Sequence, residues 1–186
     1  MKDGLVEGLV AKCNALLEAG DLKGAVECLD EIIKLKPEDG FLHYLKAECL
    51  QGMGKLEEAL TEFEEAARLE PKEFLPTHAR GMCLFQMGRL EEALASFQQA
   101  SNLNPASVDP LFMAGLCNLF LGDNRGAEEA VRKAAGINPT KTLDLLQNFF
   151  EGFFLPNKNL SLVEKSNFQE MINLLRRIIE EEKRRR

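Results

Sequence analysis

The sequence predicts an all-α solenoid of stacked helix–turn–helix hairpins that ends in a capping helix. Its 186 residues include one Tyr and no Trp, and leucine, alanine, glutamate and lysine are abundant, which favours helix over strand. Glycine, alanine and proline each recur four times with a spacing of 34 residues, which is typical of arrays of small repeated units. The three sets are Gly20, Gly54, Gly88 and Gly122; Ala25, Ala59, Ala93 and Ala127; and Pro37, Pro71, Pro105 and Pro139.

Each recurring residue has a structural role in a hairpin. The glycine ends a first helix, because glycine adopts the left-handed conformation of the turn without strain. The alanine lies early in a second helix, where a small side chain lets the two helices cross closely. The proline follows the second helix and prevents it from continuing. The predicted hairpins span residues 6–39, 40–73, 74–107 and 108–141.

The apolar spacing of the second helices predicts the core. Leu56, Leu60 and Phe63 recur at helical spacing and are expected to pack inward. The glutamates of the same helix, Glu62 among them, are expected on the outer, solvent-facing side. The third hairpin repeats this pattern, so residues at equivalent positions of the second and third hairpins are expected to form their cores.

The last segment, residues 142–186, departs from the repeat and predicts a degenerate fifth hairpin with a long capping helix. A helical pattern runs from about Thr142 to Phe154, and Pro156 ends it. Ser161 to Glu164 then form a capping box that opens an amphipathic helix over residues 161–183. An array needs such a cap because its last apolar face is otherwise exposed. The apolar stripe of this helix is Phe168, Met171, Ile172, Leu175 and Ile179.

The four repeated segments resemble the tetratricopeptide repeat. The matching runs are GDLKGAVECLDEIIKLKP, GKLEEALTEFEEAARLEP, GRLEEALASFQQASNLNP and GDNRGAEEAVRKAAGINP. The aromatic residue of the family's second helix is present as Phe63 and Phe97, and the small residue of its first helix as Gly81 and Gly115. The resemblance implies a right-handed solenoid whose first helices line a concave groove that binds an extended peptide or a helix of a partner protein.

Helical spacing identifies the side chains of the first helices that are expected to line this implied groove. They include Glu7, Val10, Phe41, Gln51 and Leu75. The candidate partner-binding residues are Asn14, Tyr44, Glu48, His78, Met82, Phe85, Phe112, Leu116, Phe120 and Phe150. One subgroup of the family grips a C-terminal carboxylate with Lys and Asn side chains, and only Asn14 has a counterpart here. Val10, Leu75 and Ala79 occupy the basic positions of that clamp, so we expect no carboxylate clamp.

The C-terminal half of the implied groove is strongly apolar, and the sequence leaves open whether it is exposed or covered. The linker 155–160 spans at most about 20 Å, so the last helix reaches residues 142–154 but hardly crosses the groove. We therefore expect the last helix to cover Phe149 and part of the Phe153–Phe154 pair. Phe112, Phe120 and Tyr44 are expected to stay available to a partner.

The sequence predicts no catalytic, cofactor-binding or metal-binding residue. The net charge of −7 excludes a general nucleic-acid binder, and no apolar run approaches the ~18 residues of a membrane-spanning helix. His43 and His78 lie in different hairpins without a third ligand at metal-site spacing. Five cysteines without a CxxC pair are expected as buried, reduced thiols, and Asp3 and Glu7 interrupt any signal peptide. Both observations favour a cytoplasmic protein.

The predicted function is protein–protein interaction, as an adaptor, a scaffold or a chaperone-like holder of a partner segment. No cofactor is implied, and the partner is a peptide or an amphipathic helix of another protein. One alternative is a homo-oligomeric scaffold, assembled through Val6, Leu9 and Cys13 of the first helix or through the terminal helix. Another alternative is a regulatory domain of a larger enzyme system. The groove residues specify a style of binding and leave the partner's identity open.

Overall fold

The computed structural model describes residues 2–158, 161–162, 165–166, 168–170, 172–173, 176–177 and 180. Within these residues the chain is helical and contains no strand, which confirms the all-α prediction. The helices are α1 (Lys2–Glu18), α2 (Leu22–Leu35), α3 (Gly40–Gly52), α4 (Leu56–Leu69), α5 (Phe74–Gln86), α6 (Leu90–Leu103), α7 (Asp109–Phe120), α8 (Asn124–Ile137) and α9 (Pro139–Phe149), followed by a π-helical turn, Phe150–Phe154. No helix in the described part of the chain is long and apolar enough to span a membrane.

The turns within the hairpins have the predicted glycine geometry. Gly20, Gly54, Gly88 and Gly122 have φ values of 73°, 76°, 75° and 80°, in the left-handed region that favours glycine. After Gly54, the N–H of Lys55 donates to the carbonyl oxygen of Leu50 at 2.9 Å. This bond closes the end of α3 in a Schellman motif, and the turns after α1, α5 and α7 have the equivalent bond.

The helix crossings are as tight as the sequence predicts. Ala25, Ala59 and Ala93 are fully buried in their second helices. At Gly81 of α5, an added Cβ would lie 2.7 Å from the ring of Phe97 in α6. The small residue of the first helix and the aromatic residue of the second are therefore two sides of one packing contact.

The start of α9 differs from the prediction. This helix begins at Pro139, three residues before the expected start near Thr142. Pro139 is tolerated there because the first turn of a helix leaves its N–H groups without intrahelical partners. The side chain of Asn138 caps the helix by accepting a hydrogen bond from the N–H of Lys141 at 2.9 Å.

The chain forms two compact units, residues 1–104 and residues 105–186. The N-terminal unit contains α1 to α6, and the C-terminal unit contains α7 to α9 and the segments that follow. In the N-terminal unit, Cys13, Cys28 and Ile32 lie in a buried cluster built from α1, α2 and α3. In the C-terminal unit, Phe168 and Ile172 are buried, as the apolar stripe of the last helix predicts. Its other members, Met171, Leu175 and Ile179, lie outside the described residues.

All five cysteines are free thiols and all are buried, which confirms the prediction for them. The Sγ of Cys28 donates to the carbonyl oxygen of Leu9, and that of Cys83 to the carbonyl oxygen of Leu56, both at 3.3 Å. Burial raises the pKa of Cys117 to about 12. Such thiols act as small core residues and are poor nucleophiles at neutral pH.

Candidate functional site

The first helices of the N-terminal unit present one mixed surface, which we call the first-helix face. Gln51 Nε2 of α3 donates to Gln86 Oε1 of α5 at 2.9 Å, so these two helices lie side by side. Asn14 and Glu48 are exposed on this face, and Tyr44, His78, Met82 and Phe85 are partly buried. The face consists of Glu7, Val10, Asn14 and Leu17 of α1; Phe41, Tyr44, Glu48 and Gln51 of α3; and Leu75, His78, Met82 and Phe85 of α5.

An aromatic pair forms the most exposed apolar part of the face. The rings of Phe41 and Tyr44 stack with centroids 6.1 Å apart and planes inclined by 16°. Tyr44 in turn rests on the buried ring of Phe63 in α4, with centroids 5.9 Å apart. Phe41 is 53% exposed, so the pair is a rigid platform that is fixed from below and open above.

The next hairpin repeats this support with different side chains. His78 occupies the register position of Tyr44, 34 residues later, and its ring lies 5.6 Å from that of Phe97. Phe74 stacks on His78 with centroids 5.2 Å apart. Leu75, the equivalent of Phe41, is also 53% exposed. The first-helix face therefore offers one aromatic and one aliphatic contact at equivalent positions of two hairpins.

The charge of the face is acidic. Glu48 lies close to Tyr44: burial raises the pKa of the Tyr44 hydroxyl, and the negative charge of Glu48 and its hydrogen bond raise it further. Burial and the charge of Glu48 likewise raise the pKa of Cys49. Glu7 and Glu48 are exposed, and neither is in an ion pair within the described part of the chain. The face thus carries carboxylates that are not neutralised locally.

Three basic residues of the first helices lie away from this face. Lys12, Lys46 and Arg80 recur with the repeat spacing of 34 residues, and helical spacing places them on the opposite side. Arg80 donates from Nε to Ser96 Oγ and from a terminal nitrogen to Gln99 Oε1, each at 3.1 Å. In α1 and α3, the acidic residues of the face, Glu7 and Glu48, therefore lie on a different side from Lys12 and Lys46.

Lys46 joins three helices through two ion pairs, of which the one to Glu62 is largely buried. Its Nζ lies 2.7 Å from Asp30 Oδ1 of α2 and 2.7 Å from Glu62 Oε1 of α4. Although burial lowers the pKa of Lys46, the hydrogen bonds to Asp30 and Glu62 outweigh it and raise the pKa. His43 Nδ1 lies 2.7 Å from the other oxygen of Glu62. The prediction that Glu62 faces solvent is therefore wrong, because it is held at the α3–α4 crossing.

The C-terminal unit buries two of the candidate residues, and one of them, Phe112, was expected to be open. Phe112 and Leu116 are only 6% and 4% exposed, so the predicted availability of Phe112 is wrong. The ring of Phe149 in α9 packs edge-on against Phe112, with centroids 6.3 Å apart. Because α9 supplies this ring, first-helix positions that are open in the N-terminal unit belong to the core in the C-terminal unit.

The last helix contacts Phe149, as predicted, and its cover of the Phe153–Phe154 pair stays a prediction. Phe168 packs against Phe149 with centroids 6.0 Å apart and stacks on Phe150 at 5.8 Å. Phe120 contacts Phe149 and Phe153 but keeps 36% of its surface exposed. Phe150 is partly buried, and the side chain of Phe154 lies outside the described residues. Of the C-terminal candidates, Phe120 is the one that still reaches the surface among the described side chains.

The described residues contain no group of three or more His, Cys, Asp or Glu side chains that could hold a metal ion. What the first-helix face provides is rigid aromatic surface, amide groups and carboxylates. Groups of these kinds are the ones that protein interfaces use, with apolar anchors at the centre and polar groups at the edge. The arrangement defines a helical-repeat protein.

Family models for the tetratricopeptide repeat match residues 16–76, 77–107 and 108–141. The chain belongs to the tetratricopeptide repeat family, whose members are typically non-catalytic interaction modules. Membership supports a role in protein–protein interaction in general. No curated protein sequence matches the chain.

Several solved structures share the fold. MamA 41-end from Desulfovibrio magneticus RS-1 is 17% identical, with a TM-score of 0.74 over 95% of this chain and 96% of that one. YrrB, described as a tetratricopeptide protein with an unusual peptide-binding site, is 23% identical, with a TM-score of 0.67 over 76% and 74%. The first tetratricopeptide domain of Spaghetti (RPAP3), bound to an HSP90 peptide, is 20% identical, with a TM-score of 0.59 over 63% and 93%. These similarities confirm the α-solenoid fold class.

Proposed function

We propose that this protein is a non-catalytic adaptor that binds a peptide or helical segment of another protein on the first-helix face of its N-terminal unit. The observation that carries the proposal is the Phe41–Tyr44 platform, fixed on Phe63 and open to solvent. Aromatic rings held rigidly at a surface lose little conformational freedom on binding, and they dominate the energetics of many interfaces. Exposed Leu75 extends the apolar contact to the next hairpin.

Two further observations support the proposal. YrrB and the Spaghetti domain are described by their peptide-binding site and by a bound peptide, and each shares this fold. Val10, Leu75 and Ala79 leave the face without the basic side chains of a carboxylate clamp, so the bound segment is internal rather than a free C-terminus. The five buried free thiols are consistent with the predicted cytoplasmic location, where thiols stay reduced.

Comparative affinity capture tests the proposal. The tagged protein and a Phe41→Asp variant are incubated with the same cell extract, and captured proteins are quantified by mass spectrometry. Ile137→Asp is the matched control, because Ile137 is an exposed apolar residue on α8 of the C-terminal unit. We expect a set of partners that is lost with Phe41→Asp and retained with Ile137→Asp. Identical capture by all three proteins would show that the platform is not the binding site.

Self-association is the second candidate, and the exposure of Leu5 on α1 favours it. The face predicted for it is wrong in part, since Val6 and Cys13 are buried in the core of the N-terminal unit. The large apolar residues that the described part of α1 exposes are Leu5 and Val10. Light scattering over a wide concentration range distinguishes the two candidates. An adaptor stays monomeric, whereas a scaffold assembled through α1 dissociates when Leu5 is replaced by Asp.

A further inference from the structure

Charge is distributed unevenly around the first helices of the N-terminal unit. The basic column Lys12, Lys46 and Arg80 lies on the side opposite the first-helix face, and Lys46 and Arg80 are bonded within the unit. On the face itself, Glu7 and Glu48 are exposed. None of the twelve residues that make up the face is a lysine or an arginine, so a partner segment that docks on them meets carboxylates.

The acidic side chain and the aromatic platform adjoin each other. Glu48 follows Tyr44 by one helical turn on α3, and its charge acts on the Tyr44 hydroxyl. The exposed side of Phe41 lies at the other end of the stacked pair. An aromatic ring attracts a cation to its face, and a carboxylate beside the ring attracts the same cation.

We infer that the first-helix face recognises a basic segment of a partner protein, in which an arginine or lysine lies over the Phe41–Tyr44 platform and pairs with Glu48. Arginine fits this site best, because its planar guanidinium stacks on a ring while it donates hydrogen bonds to a carboxylate. Apolar residues of the same segment contact Leu75 and Met82 on the neighbouring helix. The inference rests on the proposed function and specifies the chemistry of its ligand.

Electrostatic selection of this kind favours one sign of charge. An acidic segment is repelled by Glu7 and Glu48, whereas a basic segment gains attraction that salt screens. Because the whole chain carries a net charge of −7, local recognition has to be separated from general attraction. Glu31 of α2 is a suitable reference, since it is exposed in the same unit and outside the first-helix face.

The test uses the full-length protein and three fluorescent peptides of equal length. All three contain the same leucines, and the remaining positions are filled by arginine, glutamine or glutamate. Binding is measured by fluorescence anisotropy for the unaltered protein and for Glu48→Lys, Glu48→Gln, Glu31→Lys and Phe41→Ala. Circular dichroism confirms that each variant is folded, and Glu48→Gln replaces Glu48→Lys if the latter is not.

The inference predicts the order of affinities. The arginine peptide binds most tightly, and Glu48→Lys weakens it about tenfold through the loss of an ion pair and the gain of a repulsion. Glu48→Gln weakens it about threefold, and Glu31→Lys by less than about twofold, because Glu31 lies outside the first-helix face. Phe41→Ala weakens it about fivefold through the lost stacking.

Three outcomes contradict the inference. Equal weakening by Glu48→Lys and Glu31→Lys would mean that the peptide responds only to net charge. If the glutamine or glutamate peptide binds at least as tightly and depends on Phe41, the basic ligand is wrong while the proposed function stands. If no peptide binds in a manner that depends on Phe41, both the inference and the proposed site fail.

Discussion

The α3–α4 hairpin of the N-terminal unit and the α7–α8 hairpin of the C-terminal unit have the same backbone arrangement. They differ in the side chains that fill their helix crossings. At the α3–α4 crossing the side chains are Lys46 and Glu62. The equivalent positions of the α7–α8 crossing are occupied by Ala114 and Ala130. Tyr44 is partly exposed, whereas its equivalent Phe112 is buried. One repeat register therefore accommodates an ion-paired crossing below an open face and an apolar crossing below a covered one.

The intermediate hairpin, α5–α6, shows that the change is graded. Arg80 and Ser96 replace Lys46 and Glu62, and Arg80 donates to the neutral acceptors Ser96 and Gln99 instead of a carboxylate. Buried ion pairs add little net stability compared with apolar packing, but removing one partner is costly. The N-terminal unit therefore has a polar α3–α4 crossing at positions where the C-terminal unit has apolar packing. Its polar crossing ties α2, α3 and α4 together through Lys46.

The largest expected effect separates the two aromatic positions. Phe112→Asn should destabilise the protein by about 4 kcal/mol, because it removes a buried ring and leaves an amide without partners. Tyr44→Asn, at the equivalent position, should cost about 1 kcal/mol because this side chain stays partly in water. Urea unfolding followed by circular dichroism measures both. Equal losses would contradict the difference in burial between the two units.

The next effect concerns the ion-paired crossing. Lys46→Met leaves Asp30 and Glu62 without their shared cation and should cost about 2 kcal/mol. Arg80→Met removes hydrogen bonds to neutral groups and should cost about 1 kcal/mol. The comparison is made by thermal unfolding at neutral pH. If Lys46→Met is as stable as the unaltered protein, the crossing is held by its apolar contacts alone.

A smaller effect distinguishes two glycines at equivalent positions. Gly81→Ala should destabilise by about 1 kcal/mol, because its Cβ would overlap the ring of Phe97 in a packed core. At Gly115 the added Cβ would lie 3.5 Å from its nearest neighbours, in ordinary contact. Gly115→Ala should therefore stabilise by about 0.5 kcal/mol through helix propensity. Opposite signs of the change in unfolding free energy are the result expected, and a gain for both variants would exclude a tight contact at Phe97.

The smallest effect is electrostatic and lies at the surface. The hydrogen bond from Arg89 lowers the pKa of Glu92, and the bond from Lys133 lowers that of Glu129. A lowered carboxyl pKa contributes stability above the unfolded value of about 4.3 and loses it as the pH falls through the folded value. NMR titration of Arg89→Gln should show a raised pKa for Glu92 and an unchanged pKa for Glu129. A shift of both would indicate long-range rather than pairwise effects.

Much of the fold follows from local rules that the sequence displays. Glycine adopts the left-handed conformation of the turn without strain, so Gly20, Gly54 and Gly88 mark the ends of first helices. The burial of Ala59 and Phe63 follows from helical spacing. The 34-residue spacing of Lys12, Lys46 and Arg80 was equally visible and signals their shared orientation, but their partners depend on neighbouring helices. The position of Glu62 could not be predicted because spacing alone does not reveal a cation across the crossing.

The sequence by itself determined the repeat, the turns, the small residues at the crossings and the apolar stripes, because each depends on neighbours within one hairpin. Only the tertiary structure decided which first-helix residues are open. Phe112 and Tyr44 are both aromatic and share a register position, yet Phe149 of α9 packs on Phe112. Pro139 matches Pro37, Pro71 and Pro105 in spacing, yet it starts a helix because Asn138 caps it. Burial depends on what packs from outside the repeat, and a repeat pattern contains no information about that neighbour.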